Sequence, residues 1–286
     1  MQGPTLPVAF DETFYLDEYP DVLEAVERGL FASGLEHYLT HGQGEGRTGR
    51  PAETPTECRF PGRMPPKALR TRVHGAGDPA SFQIVGKRIS DDLHAAIRDR
   101  VALVDSSKLL DFGCGCARVM AYFRQVSPGA FYGTDIDREA IDWCRGNLGH
   151  VADFAVNAAF PKLAFGADSF DLIYSISVFT HLPEAMQSSW LEELRRVAKP
   201  GSYLFLTTLG EQELPQVSIE DRTELERHGF LYLLRGGTEG LPEFYQSSFQ
   251  TSAYIEATWR QWFDIETVVT KGICDFQDLV ICRKPG

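Results

Sequence analysis

Two chemistries compete for the stretch Leu109 to Met120, LLDFGCGCARVM. Cys114 and Cys116 could hold a metal or a redox partner, while Gly113 and Gly115 could bring bare backbone against a small-molecule cofactor. Zinc would need a second ligand pair at a recognisable spacing, and neither a CxxC nor an HxxxH lies near this stretch. His37 and His41, one helical turn apart, belong to a distant part of the chain. The six cysteines, Cys58, Cys114, Cys116, Cys144, Cys274 and Cys282, are scattered through a chain without a secretory leader, so reduced thiols and no metal site are expected.

The elements around the glycines favour the cofactor. From Lys108 onward strand and helix signals alternate, the mark of a parallel sheet covered by helices. SKLLDFG reads as a short apolar strand ending in Asp111 and GAFYGTDI as a second, ending at Asp135. VADFAVN, SFDLIYSIS and SYLFLTTLG follow as third, fourth and fifth. Between them CARVMAYFRQV, REAIDWCRGNL and PEAMQSSWLEELRRVAKPG are helical, the last with Gly201 past its end. FDIETVV and QDLVICRK, joined by a short link, should form an antiparallel hairpin at the sheet edge. The expected class is therefore α/β: a Rossmann-like, seven-stranded, mostly parallel sheet with helices on both faces and a small N-terminal helical module. Such a sheet binds its ligand at the carboxyl ends of its strands.

Two cofactor classes use that position. A dinucleotide fingerprint would require glycine where Arg118 stands, and a bulky residue there obstructs the close helix and strand packing which that glycine permits. The run Asp111-Phe112-Gly113-Cys114-Gly115-Cys116-Ala117 instead resembles the first motif of the class I S-adenosylmethionine-dependent methyltransferases, departing from it at Ala117, where a third glycine is usual. The resemblance implies S-adenosyl-L-methionine as cofactor, held by Asp111, Phe112, Gly113, Cys114 and Gly115. It gives Asp135 the ribose hydroxyls, a bond type its position some twenty residues beyond the glycines also suits. Asp135 could equally be the N-cap of the next helix, a role open to Asp137 too. By the same resemblance Ile136 lies against the adenine ring, Asn157 and Ala158 meet the adenine edge, and Ser175 at the end of the fourth strand completes the set. Many members carry aspartate where Asn157 stands.

The likeness runs from about Ser81 to Pro285. Its block FDLIYSISVFTHLPEAMQSSWLEELRRVAKPGSYLFLTT is similar to a bacterial group often encoded with glycosyltransferases or natural-product genes. It implies methylation, on oxygen, of a small molecule or glycan acceptor in a bacterial biosynthetic pathway. Two alternatives stand beside it: the same fold and cofactor running a cyclisation, elimination or rearrangement, or a non-catalytic scaffold. A hydroxyl acceptor benefits from a base, and His181, beyond the fourth strand, is the candidate; ordering its own loop is the competing role. The segment at about 210–260 is too long for an ordinary connection and suggests a lid or acceptor pocket. His228 and Tyr245 are its pocket candidates, with Phe230, Tyr232 and Phe249 lining it or simply forming core; Tyr254, Trp259 and Trp262 are expected in packing.

Residues 1–50 read as the helical module, with Pro20 opening one helix and Ser33 with Glu36 capping another. This stretch resembles a small module found beside enzymes of surface-polysaccharide synthesis, and packing or a homodimer through it is the plainest role. Residues 51–79, rich in proline, glycine and charge, read as a linker ahead of the cofactor domain at 80–286. A formal charge of −12 over 286 residues argues against nucleic acid; the basic run Arg59 to Arg72 reads as solvated linker. No apolar run of about 20 residues is available for a membrane span. A cytoplasmic protein is expected.

Overall fold

The computed structural model describes residues 10–50, 53–234 and 241–286, and the chain divides into two compact units. The smaller runs through Arg59 and resumes from Met64 to Ile84; the larger takes Phe60–Arg63 and Val85–Gly286.

Among the described residues of the smaller unit lie the short α-helices α1 (Glu12–Glu18), α2 (Pro20–Glu27), α3 (Gly34–His37) and α4 (Lys67–His74). Pro20 opens α2, and the Ser33 hydroxyl caps α3 by accepting the Glu36 amide at 3.1 Å. Sequence periodicity does not announce α1, which is fixed by contact at a distance. Glu12 in its first turn accepts the amides of Gly34 and Leu35 at 2.6 and 2.9 Å, filling donors left free at the start of α3. Most of the expected linker belongs to this unit as well. Arg70 of α4 is 2% exposed and donates to the carbonyls of Pro65 and Gly77 and to the Glu18 carboxylate, so one arginine of the basic run is folded inward on three acceptors while Arg59 and Arg63 stay exposed.

The helix α5 (Pro79–Arg98) crosses from one unit to the other, and in the larger unit it buries Ile89, Leu93 and Ile97. Beyond it come β1 (Lys108–Phe112), α6 (Arg118–Val126), β2 (Ala130–Asp135), α7 (Arg138–Leu148), β3 (Asp153–Val156), β4 (Phe170–Ser175), α8 (Glu184–Val197) and β5 (Ala198–Thr208). An inserted segment holds α9 (Ile219–His228), β6 (Phe230–Leu233), β7 (Ser247–Gln250) and α10 (Ser252–Thr258), and the chain closes with β8 (Asp264–Ile273) and β9 (Gln277–Arg283). The main sheet has the order β3-β2-β1-β4-β5-β9-β8, parallel through β5 and antiparallel at β9 and β8; β6 and β7 pair separately. On one face Trp190 and Leu194 of α8, with Trp259 and Phe263, cover Leu110, Ile173 and Leu204. On the other, Phe123 of α6 meets Phe131 and Tyr174 edge-on at 5.7 and 5.6 Å. Among the described residues no helix is long and apolar enough to cross a membrane.

Gly201 does not stop α8 as its place in the sequence suggests. The helix ends at Val197 and the chain enters β5 at once; pairing with β4 jumps from Phe170–Ala198 to Leu172–Tyr203, leaving Lys199–Ser202 as an irregularity in the strand. Arg283 of β9 donates to the Gly201 carbonyl at 2.8 Å, so the strand partner settles what the helix signal left open.

Strand order reverses beside β1, which has β2 on one side and β4 on the other, and the chain between β1 and α6 turns tightly there. Gly113, Gly115 and Ala117 have φ of +81°, +52° and +59°, so alternate residues of the turn are left-handed. A Cβ on Gly113 would fall on the Val178 methyl Cγ2. Ala117, fully buried, is the residue from which α6 springs, and alanine bears the left-handed strain that glycine would avoid. Ala117→Gly should leave stability within about 1 kcal/mol of wild type, since strain relief offsets lost burial and added chain entropy. Ala117→Val, branched and overpacked there, should cost roughly 2 kcal/mol or more. Urea denaturation of the pair checks both values.

Candidate active site

At the carboxyl ends of β1 and β2 one side chain ties the two strands' loops together. Asp135, the last residue of β2, accepts the Gly115 amide at 2.7 Å through one oxygen and the Asp137 amide at 2.8 Å through the other. Asp137 itself caps α7, accepting the Ala140 amide at 3.2 Å, so Asp135 is not needed as that helix's cap. Burial pushes the Asp135 carboxyl up from its ordinary range while the two amides hold it down. A carboxylate has about four lone-pair sites, so two amides leave each oxygen room for another donor. The Asn157 amide donates to the Asp135 carbonyl at 2.9 Å, bringing β3 to the same edge. Its side-chain nitrogen bonds the Ala158 carbonyl, and its Oδ1 is buried without a partner among the described residues. Ile136 is half-buried and Ala158 exposed beside it.

Beneath the turn the groups point inward. Asp111 is 3% exposed, beside the Tyr174 hydroxyl, and burial together with the nearby Asp135 charge pushes its carboxyl up to about 8. Cys114 and Cys144 both donate to the Gly115 carbonyl at 3.7 Å, and burial raises both thiols. These cysteines therefore act as neutral donors that steady the turn. Cys116 is fully buried. The Phe112 ring packs on Trp190 at 4.6 Å and its carbonyl accepts the Ser175 hydroxyl at 2.7 Å, so Ser175 spends its hydroxyl bracing β4 against β1. Arg118 is accommodated by a glycine elsewhere: a Cβ on Gly86 of α5 would lie 2.7 Å from its Cγ.

Across the cleft, the loop after β4 and the insertion bring two further groups together. The His181 ring stacks on Tyr245 with centroids 4.1 Å apart, and its Nδ1 lies 2.5 Å from the Gln246 carbonyl. A carbonyl can only accept, so Nδ1 carries the proton and Nε2 keeps its lone pair. Burial lowers the His181 pKa, opposed by that bond. Tyr245 is close enough to Asp135 for the carboxylate to help burial raise its phenol, which links the insertion to the β2 end of the cleft. The other insertion candidates lie elsewhere. His228 ends α9 exposed, 3.6 Å from Glu224, and does not join His181 and Tyr245. Phe249 packs with Leu225, Leu231 and Leu233, the Phe230 ring lies tilted against Tyr254, and Tyr232 donates to the Phe244 carbonyl, so they hold the insertion together instead of lining a pocket. Ser177, which sequence reasoning passed over, has φ of +60° in the loop that carries His181. Thr207 accepts its amide at 2.8 Å, Gln277 donates to its hydroxyl at 2.7 Å and Tyr245 donates to its carbonyl at 3.4 Å. The only local signal is the short SIS run after a strand; its partners come from β5, β9 and the insertion.

Residues 110–206 match a family described as a methyltransferase domain. The methyltransferase GfsG of Streptomyces halstedii is 26% identical over 140 residues, 46% of this chain and 48% of that protein. The biotin biosynthesis bifunctional protein BioHC of Cellvibrio japonicus is 29% identical over 168 residues, 57% of this chain and 31% of that protein. The chain thus spans less than half the length of these curated relatives. Among solved structures, an S-adenosylmethionine-dependent methyltransferase from Mesorhizobium loti superposes with a TM-score of 0.51 at 18% identity, covering 68% of this chain and 98% of its own. The cyclase SpnF gives a TM-score of 0.51 at 18% identity, covering 72% and 84%. Both likenesses are of fold.

S-adenosylmethionine is the cofactor of such a domain, and the residues present fit it: a left-handed glycine turn, a strand-end carboxylate with lone pairs to spare, and a buried amide oxygen without a partner. Loss of two charge-assisted bonds should make Asp135→Ala bind S-adenosylhomocysteine at least tenfold more weakly, about 1.5–3 kcal/mol, in a fluorescence titration. Unchanged affinity would remove Asp135 from the site. For Asp111, an acid whose pKa rises from 3.8 to about 8, the native state keeps a proton the unfolded chain has lost, so its contribution to stability falls as pH climbs through that window. Asp111→Asn should flatten this slope, by up to about 1.4 kcal/mol per pH unit, in urea denaturations between pH 5 and 8.

Proposed function

We propose that the protein, whose residues 110–206 match a methyltransferase domain, uses S-adenosylmethionine to methylate a hydroxyl oxygen of a small molecule or glycan in a bacterial biosynthetic pathway. The observation that carries the choice of oxygen is the His181 geometry: Nδ1 committed to the Gln246 carbonyl, the ring stacked on Tyr245, and Nε2 left as the basic nitrogen. Bound cofactor supplies an electrophilic methyl group on a sulfonium, which needs no acid or metal to leave. The chain's own tasks are to hold the acceptor in line, exclude water and take the hydroxyl proton. Asp135 and the glycine turn hold one partner at the ends of β1 and β2. His181 Nε2 takes the proton as the acceptor oxygen attacks, and the lowered pKa keeps that nitrogen free at neutral pH.

Incubation with S-adenosylmethionine and a panel of phenols, alcohols and neutral glycosides, followed by mass spectrometry, tests this. Stoichiometric S-adenosylhomocysteine with a singly methylated, oxygen-linked product is expected. Methylthioadenosine would mean attack on the aminocarboxypropyl arm, and an isomerised acceptor with unconsumed cofactor would mean the cyclase-type chemistry; either overturns the proposal. With the acceptor so found, His181→Gln should lower kcat by about 10²–10⁴-fold and abolish an acid limb that in wild type lies below pH 6.5, while S-adenosylhomocysteine affinity holds. An unchanged pH profile would return His181 to ordering its loop.

A further inference from the structure

The smaller unit has an open cavity of about 650 Å³ lined by residues of α1 and α4, by Tyr38, Arg47–Arg50 and Glu53, and by Gly77–Pro79 at the start of α5. Its charges come in equal numbers, Glu18, Glu53 and Asp78 against Arg47, Arg50 and Lys67. Several are already neutralised in place. Glu18 lies 2.7 Å from Lys67 and 3.0 Å from Arg70, and Arg47 holds Asp21 through two bonds at 2.9 and 2.8 Å. Asp78 accepts the Ser81 amide at 2.7 Å. Among the described residues, the Arg50 guanidinium, the Glu53 carboxylate and the Tyr38 hydroxyl take no hydrogen bond or ion pair, yet all three line the cavity. Phe14 and Tyr38 add aromatic surface, and Gly49 brings main chain against it: a Cβ there would lie 3.0 Å from the Tyr38 ring.

We propose that this cavity is a binding site for a neutral saccharide of one to three units. An anionic or cationic ligand would gain at one of Arg50 and Glu53 and be repelled by the other. A hydroxylated ring can use it, because each hydroxyl both donates and accepts, and so satisfies a carboxylate and a guanidinium together. Paired ions keep unused lone pairs and N–H groups without imposing net charge. Aromatic faces suit the apolar C–H side of a sugar ring, and the volume lies within the roughly 300–1,000 Å³ usual for small-ligand pockets.

The test uses the full chain and a panel of unmodified di- and trisaccharides of hexoses and N-acetylhexosamines, read by saturation-transfer NMR and then calorimetry. At least one neutral member should bind. Arg50→Ala/Glu53→Ala should weaken that binding at least tenfold without moving the melting temperature or S-adenosylhomocysteine affinity, and Tyr38→Phe should weaken it less. The proposal is overturned if no neutral saccharide binds at millimolar concentration, if only acidic or phosphorylated sugars bind, or if the double variant binds as wild type. Because the cofactor site serves only as a folding control, these outcomes are independent of the methylation proposal.

Discussion

A single carboxylate, Asp135, sets the geometry of the cleft by accepting the backbone amides of Gly115 and Asp137. The bonds bind the loop after β1 to the loop after β2 at the place where the sheet order reverses. Left-handed backbone at Gly113, Gly115 and Ala117 is what lets the Gly115 amide reach the carboxylate. The Gly115 carbonyl, on the other side of the same residue, takes the thiols of Cys114 and Cys144. The turn is therefore held on both its donor and acceptor sides, and its buried surroundings raise Asp111, Asp135 and the thiols together.

Much of this was legible in the residues. Alternating apolar strands and amphipathic helices foretold the seven-stranded sheet and its antiparallel edge, because each element buries a face that its own periodicity shows. Asp111, the two glycines and Asp135 stand out for the same reason: acids and glycines at strand ends have no packing role to explain them. Long-range contacts were not legible. Glu12 fixing α1 to α3, Arg70 drawing an apparent linker into the smaller unit and Arg283 holding Gly201 in β5 all join residues far apart in sequence. Within the insertion, aromatic density marked a cluster but could not say which ring faced the cleft. Tyr245 does so because Gln246 and Ser248 run beside the loop after β4 and donate their amides to His181 and Thr180. His228, one helix away, ends in solvent.

The strained loop that carries His181 shows how the two halves of the cleft depend on one another. Ser177 keeps its left-handed backbone only because Thr207, Gln277 and Tyr245 hold it from three elements. The insertion thus braces the loop, and His181 and the glycine turn are set by separate parts of one fold. The smaller unit has its own buried arginine and its own charged cavity, a different set of constraints from those of the sheet.

Calorimetric titration of S-adenosylhomocysteine into the full chain tests the central claim most directly. The arrangement of Asp135 and the glycine turn requires saturable binding at one site per chain. No heat of binding with the protein at high concentration, or binding that persists with full affinity when the turn is broken by Gly113→Val, would contradict it.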